Sequence, residues 1–87
     1  MLDMILFKTS GDPEAFPPSN GNSYSLEELQ TAVDGYIEIV NLMDSHLVLV
    51  VNEEGLRRNL PVNDKASDIA GRLIVGDSLL CPVESIE

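Results

Sequence analysis

The chain has 87 residues, of which 44% are hydrophobic, and its 15 acidic residues against 5 basic ones give a net charge of −10. This size and apolar content predict a single folded domain over residues 1–87 and exclude a disordered chain. The negative charge disfavours direct binding to nucleic acid or to anionic membranes. No apolar run reaches the ~18 residues of a membrane helix. The single cysteine and single histidine exclude the common zinc patterns.

The first elements along the chain are a strand, a long loop and a helix. Residues 1–8 alternate loosely between apolar and polar side chains, which predicts a strand. Residues 9–24 hold three prolines and two glycines, and a loop of this length is usually either functional or disordered. Ser25 and Glu28 form a capping-box pattern, so a short helix begins there. We expect Gly35, in the left-handed conformation, to end it.

Three strands are predicted in the middle of the chain. Residues 36–40 alternate and are rich in β-forming side chains, which predicts a strand. Residues 46–52 are almost continuously apolar, which is typical of a central strand covered by other elements. The following residues fit a hairpin turn with Gly55 in the left-handed conformation. Residues 56–60 are therefore expected to return as a third strand.

The last elements are a second helix and a final strand. Asn63 is a good N-cap, and apolar residues follow it at helical spacing. These residues are Ala66, Ile69, Ala70 and Leu73. Gly71 would weaken the interior of that helix. Residues 78–83 predict a strand that ends at Pro82 or lies at an edge of the sheet, because proline cannot donate to a ladder.

The predicted order is β-α-β-β-β-α-β, which is a small single α+β domain with a mostly antiparallel sheet. We expect the two short helices to pack on one face of the sheet. Residues 46–52 or 78–83 are expected to form an edge strand that pairs with a second copy, which predicts a homo-oligomer.

The titratable residues do not form a catalytic or metal-binding pattern. Paired carboxylates occur at Glu53 and Glu54 and at Asp64 and Asp68. The first pair lies at the predicted hairpin turn, where acids are normally solvated, and the helix dipole accounts for the second pair. His46 and Cys81 would form a catalytic pair only through an unpredicted tertiary contact, and a buried thiol is expected at Cys81. We therefore predict a protein that is not an enzyme and that uses no cofactor and no metal.

One local feature points to ligand binding: four of the five basic residues fall within residues 57–72. Arginines supply planar donors for phosphate or carboxylate groups, and the start of the second helix offers backbone N–H groups to an anion. The candidate ligand-binding residues are Arg57, Arg58, Asn59, Asn63, Lys65 and Tyr36, with Tyr24 as an alternative to Tyr36 for stacking on a base and Arg72 as the fourth basic residue. In the alternative interpretation, these cations pair with the surrounding acids and only balance charge.

Several phrases of the sequence resemble a small family known mainly as a domain of unknown function. They are LEELQTAVDGYIEIV (26–40), VVNEEGL (50–56), LPVNDKAS (60–67) and IVGDSLL (74–80), which together span roughly two thirds of the chain without the loop at 9–24. Members of that family occur in bacteriophages and in bacteria, often near mobile elements. The resemblance implies a fold and a phage context, and it carries no catalytic residues.

Two functional hypotheses follow from the small size, the acidity and this resemblance. In the first, the chain is a non-enzymatic phage or mobile-element protein that binds a host factor, in an anti-defence role, with its acidic surface against a basic groove. In the second, it is a sponge that sequesters a small phosphorylated nucleotide signal through residues 57–72. The lack of a basic signal-peptide start predicts the cytoplasm of the host bacterial cell for either role.

Overall fold

The computed structural model describes residues 4–43 and 45–86, so residues 1–3 of the predicted first strand lie outside the described residues. The elements in chain order are β1 (Ile5–Phe7), β2 (Glu14–Ala15), α1 (Leu26–Val33), β3 (Ile37–Asn41), β4 (Leu47–Asn52), α2 (Asp64–Ala70) and β5 (Ser78–Pro82), followed by a 3-10 turn (Val83–Ser85).

The strands form one antiparallel sheet in the order β2-β1-β5-β4-β3 over the described residues. This sheet and the two short helices confirm the predicted small α+β fold class. β4 lies between β3 and β5 and is buried almost throughout, as expected for a central strand. β5 ends at Pro82, and the Val83 N–H that follows still donates to the His46 carbonyl at 2.8 Å before the chain enters the 3-10 turn. No described helix has the length and apolar character needed to cross a bilayer.

The two helices lie on opposite faces of the sheet, so the prediction that they share one face is wrong. Leu29 and Val33 of α1 pack in a cluster with Val48 and Val50 of β4. The alternate residues of β4, Leu49 and Val51, lie in a second cluster, to which α2 contributes Ala66 and Ala70. Alternate strand residues point to opposite faces, so a strand that is apolar at every position needs a cover on both sides.

The ends of both helices show which local signals decide their length. The Ser25 hydroxyl accepts from the Glu28 N–H at 3.2 Å and Glu28 accepts from the Ser25 N–H at 2.9 Å, which confirms the capping box. Helix α1 ends with Asp34 in the left-handed conformation (φ 62°), in place of the expected Gly35, because a short acidic side chain also tolerates that region. Helix α2 ends at Gly71 (φ 69°), so Gly71 caps this helix and does not interrupt it.

The predicted apolar face of α2 is only partly buried. Ala66 is inaccessible, whereas Ile69 is 40% exposed and Leu73 is 56% exposed. Leu73 lies beyond the end of the helix, because Gly71 stops the helical repeat before it. Helical spacing alone therefore overestimated the length of this element.

The predicted strand over residues 56–60 is wrong, because residues 53–59 form consecutive turns. The Arg58 N–H donates to the Glu54 carbonyl at 2.9 Å and the Leu60 N–H donates to the Gly55 carbonyl at 3.0 Å, so local bonds replace a ladder. Gly55 does not have a positive φ, and the left-handed residue of this segment is Asn59 (φ 56°). The fifth strand of the sheet is instead β2, which lies inside the predicted loop at 9–24 and pairs with β1.

The predicted edge strands are interior strands of the sheet. Residues 46–52 contain β4 and residues 78–83 contain β5, and each of these strands has a neighbour on both sides. The edges of the described sheet are β2 and β3. A homo-oligomer formed by β4 or β5 at an edge is therefore excluded by the topology.

Candidate functional site

The predicted ligand-binding arginines lie in the turns that follow β4, which we call the arginine loop (residues 53–59). Asn52 connects this loop to the end of α1. Its side-chain amide donates to the carbonyls of Val33 at 3.0 Å and Asp34 at 3.2 Å, and its Oδ1 accepts from the Glu54 N–H at 2.8 Å. Asn52 is 5% exposed, so these bonds are sheltered from water and hold the loop against the helix. Sequence reasoning missed this residue, since an asparagine after an apolar strand reads as a simple turn residue.

Arg58 crosses from the loop to the end of α1. Its Nη1 donates to the Asp34 carbonyl at 2.7 Å, and its Nη2 lies 3.5 Å from the Asp34 Oδ2. Gly35 permits this approach: a Cβ there would lie 2.7 Å from the Asn52 Nδ2 and 2.9 Å from the Arg58 Nη1. The glycine after the helix is therefore required by the close packing of two side chains.

Arg57 pairs within its own loop. Its Nη2 lies 2.7 Å from the Glu54 Oε2, and the Arg57 side chain is 77% exposed. Each of the two predicted anion-binding arginines thus has a carboxylate partner in the same chain. Such exposed pairs contribute only about 0–1 kcal/mol each, but they offset the positive charge that an added anion would encounter. This geometry favours the interpretation in which the arginines balance charge.

A groove of about 240 Å³ runs between the arginine loop and the segment after α2. Arg57 and Arg72 line it, and so do the exposed apolar side chains of Leu56 and Leu73. Its ionisable lining also includes Glu38, Glu53 and Glu54, so carboxylates outnumber arginines. Gly55 forms part of the groove wall, where a Cβ would lie 2.6 Å from the Val75 Cγ2. The groove therefore lacks the net positive charge that a phosphorylated ligand needs.

The remaining predicted site residues are scattered. Tyr36 is 63% exposed and lies beside Gly35 and Glu54 in a shallow cavity of about 200 Å³. Asn59 is exposed within the arginine loop. Lys65 is exposed on α2, and neither it nor Arg72 forms an ion pair with any residue that the structure describes. Among the predicted residues, Tyr36 and Arg72 lie beside the arginine loop, and no ion pair joins Lys65 to that loop within the described residues.

Asn63 and Tyr24 lie inside the fold and not on its surface. The Asn63 amide donates to the Phe7 carbonyl at 2.8 Å and the Gly76 carbonyl at 2.9 Å, while its Oδ1 accepts from the Ala66 N–H at 3.1 Å. Every polar group of that side chain is used, which is the arrangement expected of a structural cap. Tyr24 is fully buried, so it has no face on which a base can stack.

The long N-terminal loop is fastened to the core and to α1. The Phe16 ring stacks on the Tyr24 ring with centroids 6.2 Å apart, and the Ser19 N–H donates to the Glu28 Oε2 at 2.8 Å. Backbone N–H bonds from Ser25 and Ser19 hold the pKa of Glu28 below its ordinary value. A polar hollow of about 500 Å³ beside these contacts carries the carboxylates of Glu27 and Glu28.

The residues considered for catalysis differ in exposure and in their partners over the part of the chain that the structure describes. Cys81 is fully buried, so its thiol cannot reach a substrate, while His46 is exposed at the start of β4. Glu53 is exposed, and Glu54 is engaged with Arg57. No group of three or more potential metal ligands occurs within residues 4–43 and 45–86.

Comparison with protein families agrees with the resemblance seen in the sequence. A family model described as "Domain of unknown function (DUF3846)" matches residues 4–86. The chain belongs to this family. The DUF3846 match extends beyond residues 26–80, so the fastened loop and β2 are also part of the domain. No curated protein and no solved structure is significantly similar to the chain.

Proposed function

We propose that this DUF3846 chain is a non-enzymatic binding domain whose acidic surface recognises a basic surface on a protein partner. The observation that carries the proposal is the distribution of charge in the fold. Arg57, Arg58 and Lys8 each lie next to a carboxylate of the same chain, whereas Glu27, Glu38 and Glu53 are exposed and have no ion-pair partner among the described residues. With a net charge of −10, the free acids outnumber the free bases.

An acidic surface of this kind acts mainly on the rate and specificity of association. Complementary charges steer the encounter of two proteins, and a surface of one sign repels nucleic acid and other anions. The partner must then present a basic surface, such as the groove of a nucleic-acid-binding enzyme. The attraction weakens as salt is added, because exposed charges are screened over about 10 Å at 0.1 M salt.

The phage-associated resemblance of the sequence supports the biological part of the proposal. In a bacteriophage or a mobile element, the basic partner would be a host factor in the bacterial cytoplasm, such as a defence nuclease with a basic groove. The domain would then act by occupying the basic groove, a role that needs neither a cofactor nor a catalytic residue. Self-association is compatible with this role and is not required by it.

Two variants, one depleted of acids and the other depleted of cations, test the proposal. Glu27→Gln/Glu38→Gln/Glu53→Gln removes three free carboxylates, and Lys65→Gln/Arg72→Gln removes the two cations that have no described ion pair. Immobilised wild-type and variant proteins are exposed to bacterial lysate at low salt, and the retained proteins are identified. We expect a basic protein that is released by salt, that is lost from the acid-depleted variant and that is retained by the cation-depleted one. Equal retention by the wild type and the acid-depleted variant would contradict the proposal.

The nucleotide sponge makes the opposite prediction for the same pair of variants. Its supporting observation is that Arg57 and Arg72 line a common groove and that Arg72 has no described ion pair. A nucleotide would therefore be lost from the cation-depleted variant and retained by the acid-depleted one. Mass spectrometry of the small molecules released from the purified, denatured proteins separates the two roles.

A further inference from the structure

The two edges of the described sheet differ in how well they are protected. β2 has only two residues and lies between Pro13 and Pro17, which makes it a poor template for another strand. β3 has five residues and contains no proline, lysine or arginine. Natural sheets usually block an edge with such residues or with a short strand, so β3 is the edge that remains open.

The register of β3 shows which of its backbone groups point to the open side. The Glu53 N–H donates to the Tyr36 carbonyl at 2.9 Å, and the next pair along the ladder is Ile37 with Asn52. Hydrogen-bonded and non-hydrogen-bonded pairs alternate in an antiparallel ladder. The N–H and carbonyl groups of Ile37, Ile39 and Asn41 therefore point away from β4, where the described sheet has no further strand.

Exposed apolar side chains accompany these outward backbone groups. Ile39, in the middle of β3, is 37% exposed, while Tyr36 before the strand is 63% exposed and Met43 after it is 90% exposed. Glu38 is exposed between them and points to the opposite face of the sheet from Ile39. An added strand would find hydrogen-bonding groups in register, an apolar contact on one face and a carboxylate on the other.

The charge around β3 selects the occupant. Asp34 precedes the strand, Glu38 lies within it and Glu53 lies opposite Tyr36, yet among these three only Asp34 is in an ion pair with a described residue. A second copy of the chain would bring the same carboxylates and a net charge of −10 to the edge. A basic segment instead places a cation across from Glu38, and opposite charges in cross-strand positions stabilise a sheet.

We propose that β3 is a strand-addition site that binds an extended segment of alternating basic and apolar residues from the partner. The inference rests on the proposed function for the charge of the partner, and it adds the mode of recognition. Backbone N–H and carbonyl groups of Ile37, Ile39 and Asn41 bond to the added strand. An apolar side chain covers Ile39, and a lysine or arginine faces Glu38.

A short synthetic peptide of alternating lysine and valine tests this site by calorimetry with the wild-type protein. Two further peptides carry N-methyl groups, one on the valine amides and the other on the lysine amides, so that charge and side chains stay the same. In strand addition only alternate amides point to β3, so one methylated peptide should lose about tenfold or more in affinity while the other binds as before. Equal binding of all three peptides would overturn the inference.

A matched pair of variants tests the protein side. Ile39→Pro removes an N–H that does not bond to β4 and leaves the charge unchanged, so the sheet is expected to fold, as circular dichroism can verify. Ile39→Val keeps the N–H and a branched side chain. We expect the alternating peptide to bind Ile39→Val as it binds the wild type and to bind folded Ile39→Pro at least about tenfold more weakly. If Ile39→Pro does not fold, the methylated peptides still decide the question.

The possible failures are distinguishable. If the alternating peptide binds but neither methylation nor Ile39→Pro weakens it, the acidic surface binds cations without strand addition, and only this inference is lost. If the peptide does not bind at low salt, this inference is lost, and retention of a basic protein by the wild type but not by the acid-depleted variant then decides the proposed function separately. If sedimentation shows a dimer that Ile39→Pro abolishes, the occupant of β3 is a second copy and the proposed partner segment is wrong.

Discussion

Replacement of Asn63 by alanine separates a structural role from a ligand-binding one. The side chain is 1% exposed and makes three hydrogen bonds, to Phe7, Gly76 and Ala66. A hydrogen bond contributes about 0.5–1.5 kcal/mol, so the loss of three corresponds to about 1.5–4.5 kcal/mol. A small domain has only about 5–15 kcal/mol of stability, so Asn63→Ala should remove a large part of it.

Urea and thermal unfolding followed by far-ultraviolet circular dichroism measures this loss, since the chain contains no tryptophan. Each kcal/mol lowers the Tm of a domain of this size by about 4–8 °C, so we expect a drop of about 6 °C or more. Asn63→Asp keeps the oxygen that accepts from Ala66 but replaces the NH2 group with an oxygen that faces two carbonyls. We expect this variant to be about as unstable as Asn63→Ala. Asn22→Ala, in an exposed loop, is the control and should stay within about 0.5 kcal/mol of the wild type. An unchanged Tm for Asn63→Ala, together with a loss of ligand or partner binding, would refute the structural role.

Three further predictions concern the loop contacts and one carboxylate. Gly55→Ala places a methyl group against Val75, so urea unfolding should show a loss of about 1–3 kcal/mol from overpacking. Arg57→Ala should change stability by less than about 1 kcal/mol because it removes only an exposed ion pair, whereas Arg58→Ala also removes a bond to the end of α1 and should cost more in the same assay. The pKa of Glu28 is lowered in the folded state, so the folded protein binds fewer protons there than the unfolded protein. The stability that ionised Glu28 contributes is therefore present above the pKa of the unfolded state and is lost as the pH falls through the pKa of the folded state. Glu28→Gln should therefore flatten the acid limb of a Tm-against-pH curve, and an unchanged limb would contradict the assignment.

Local signals in the sequence predicted the elements that depend on them. The capping box located the start of α1, Asn63 located the start of α2, and the continuous apolar run located β4. In each case a few neighbouring residues determine the conformation, so the pattern can be recognised without knowing the rest of the fold. The small α+β class followed from the order of these elements.

The remaining features depend on contacts between distant parts of the chain. β2 has only two residues and exists because β1 pairs with it, so no periodic pattern could reveal it. The arginine loop takes its shape from Asn52 bonds to the end of α1 and from the contact of Gly55 with Val75. The clustering of cations in sequence was visible, but their carboxylate partners Glu54 and Asp34 become apparent only once the chain is folded.

Calorimetry with anionic nucleotides tests the central claim most directly, because a domain that recognises basic surfaces should not bind them. Cyclic dinucleotides, cyclic oligonucleotides and ADP-ribose derivatives are titrated into the wild-type protein at low salt, where any electrostatic binding is strongest. The proposed function predicts no heat of binding with these nucleotides. A stoichiometric heat that disappears in Arg57→Ala or Arg72→Ala, with the Tm unchanged, would contradict it and establish residues 57–72 as a nucleotide site.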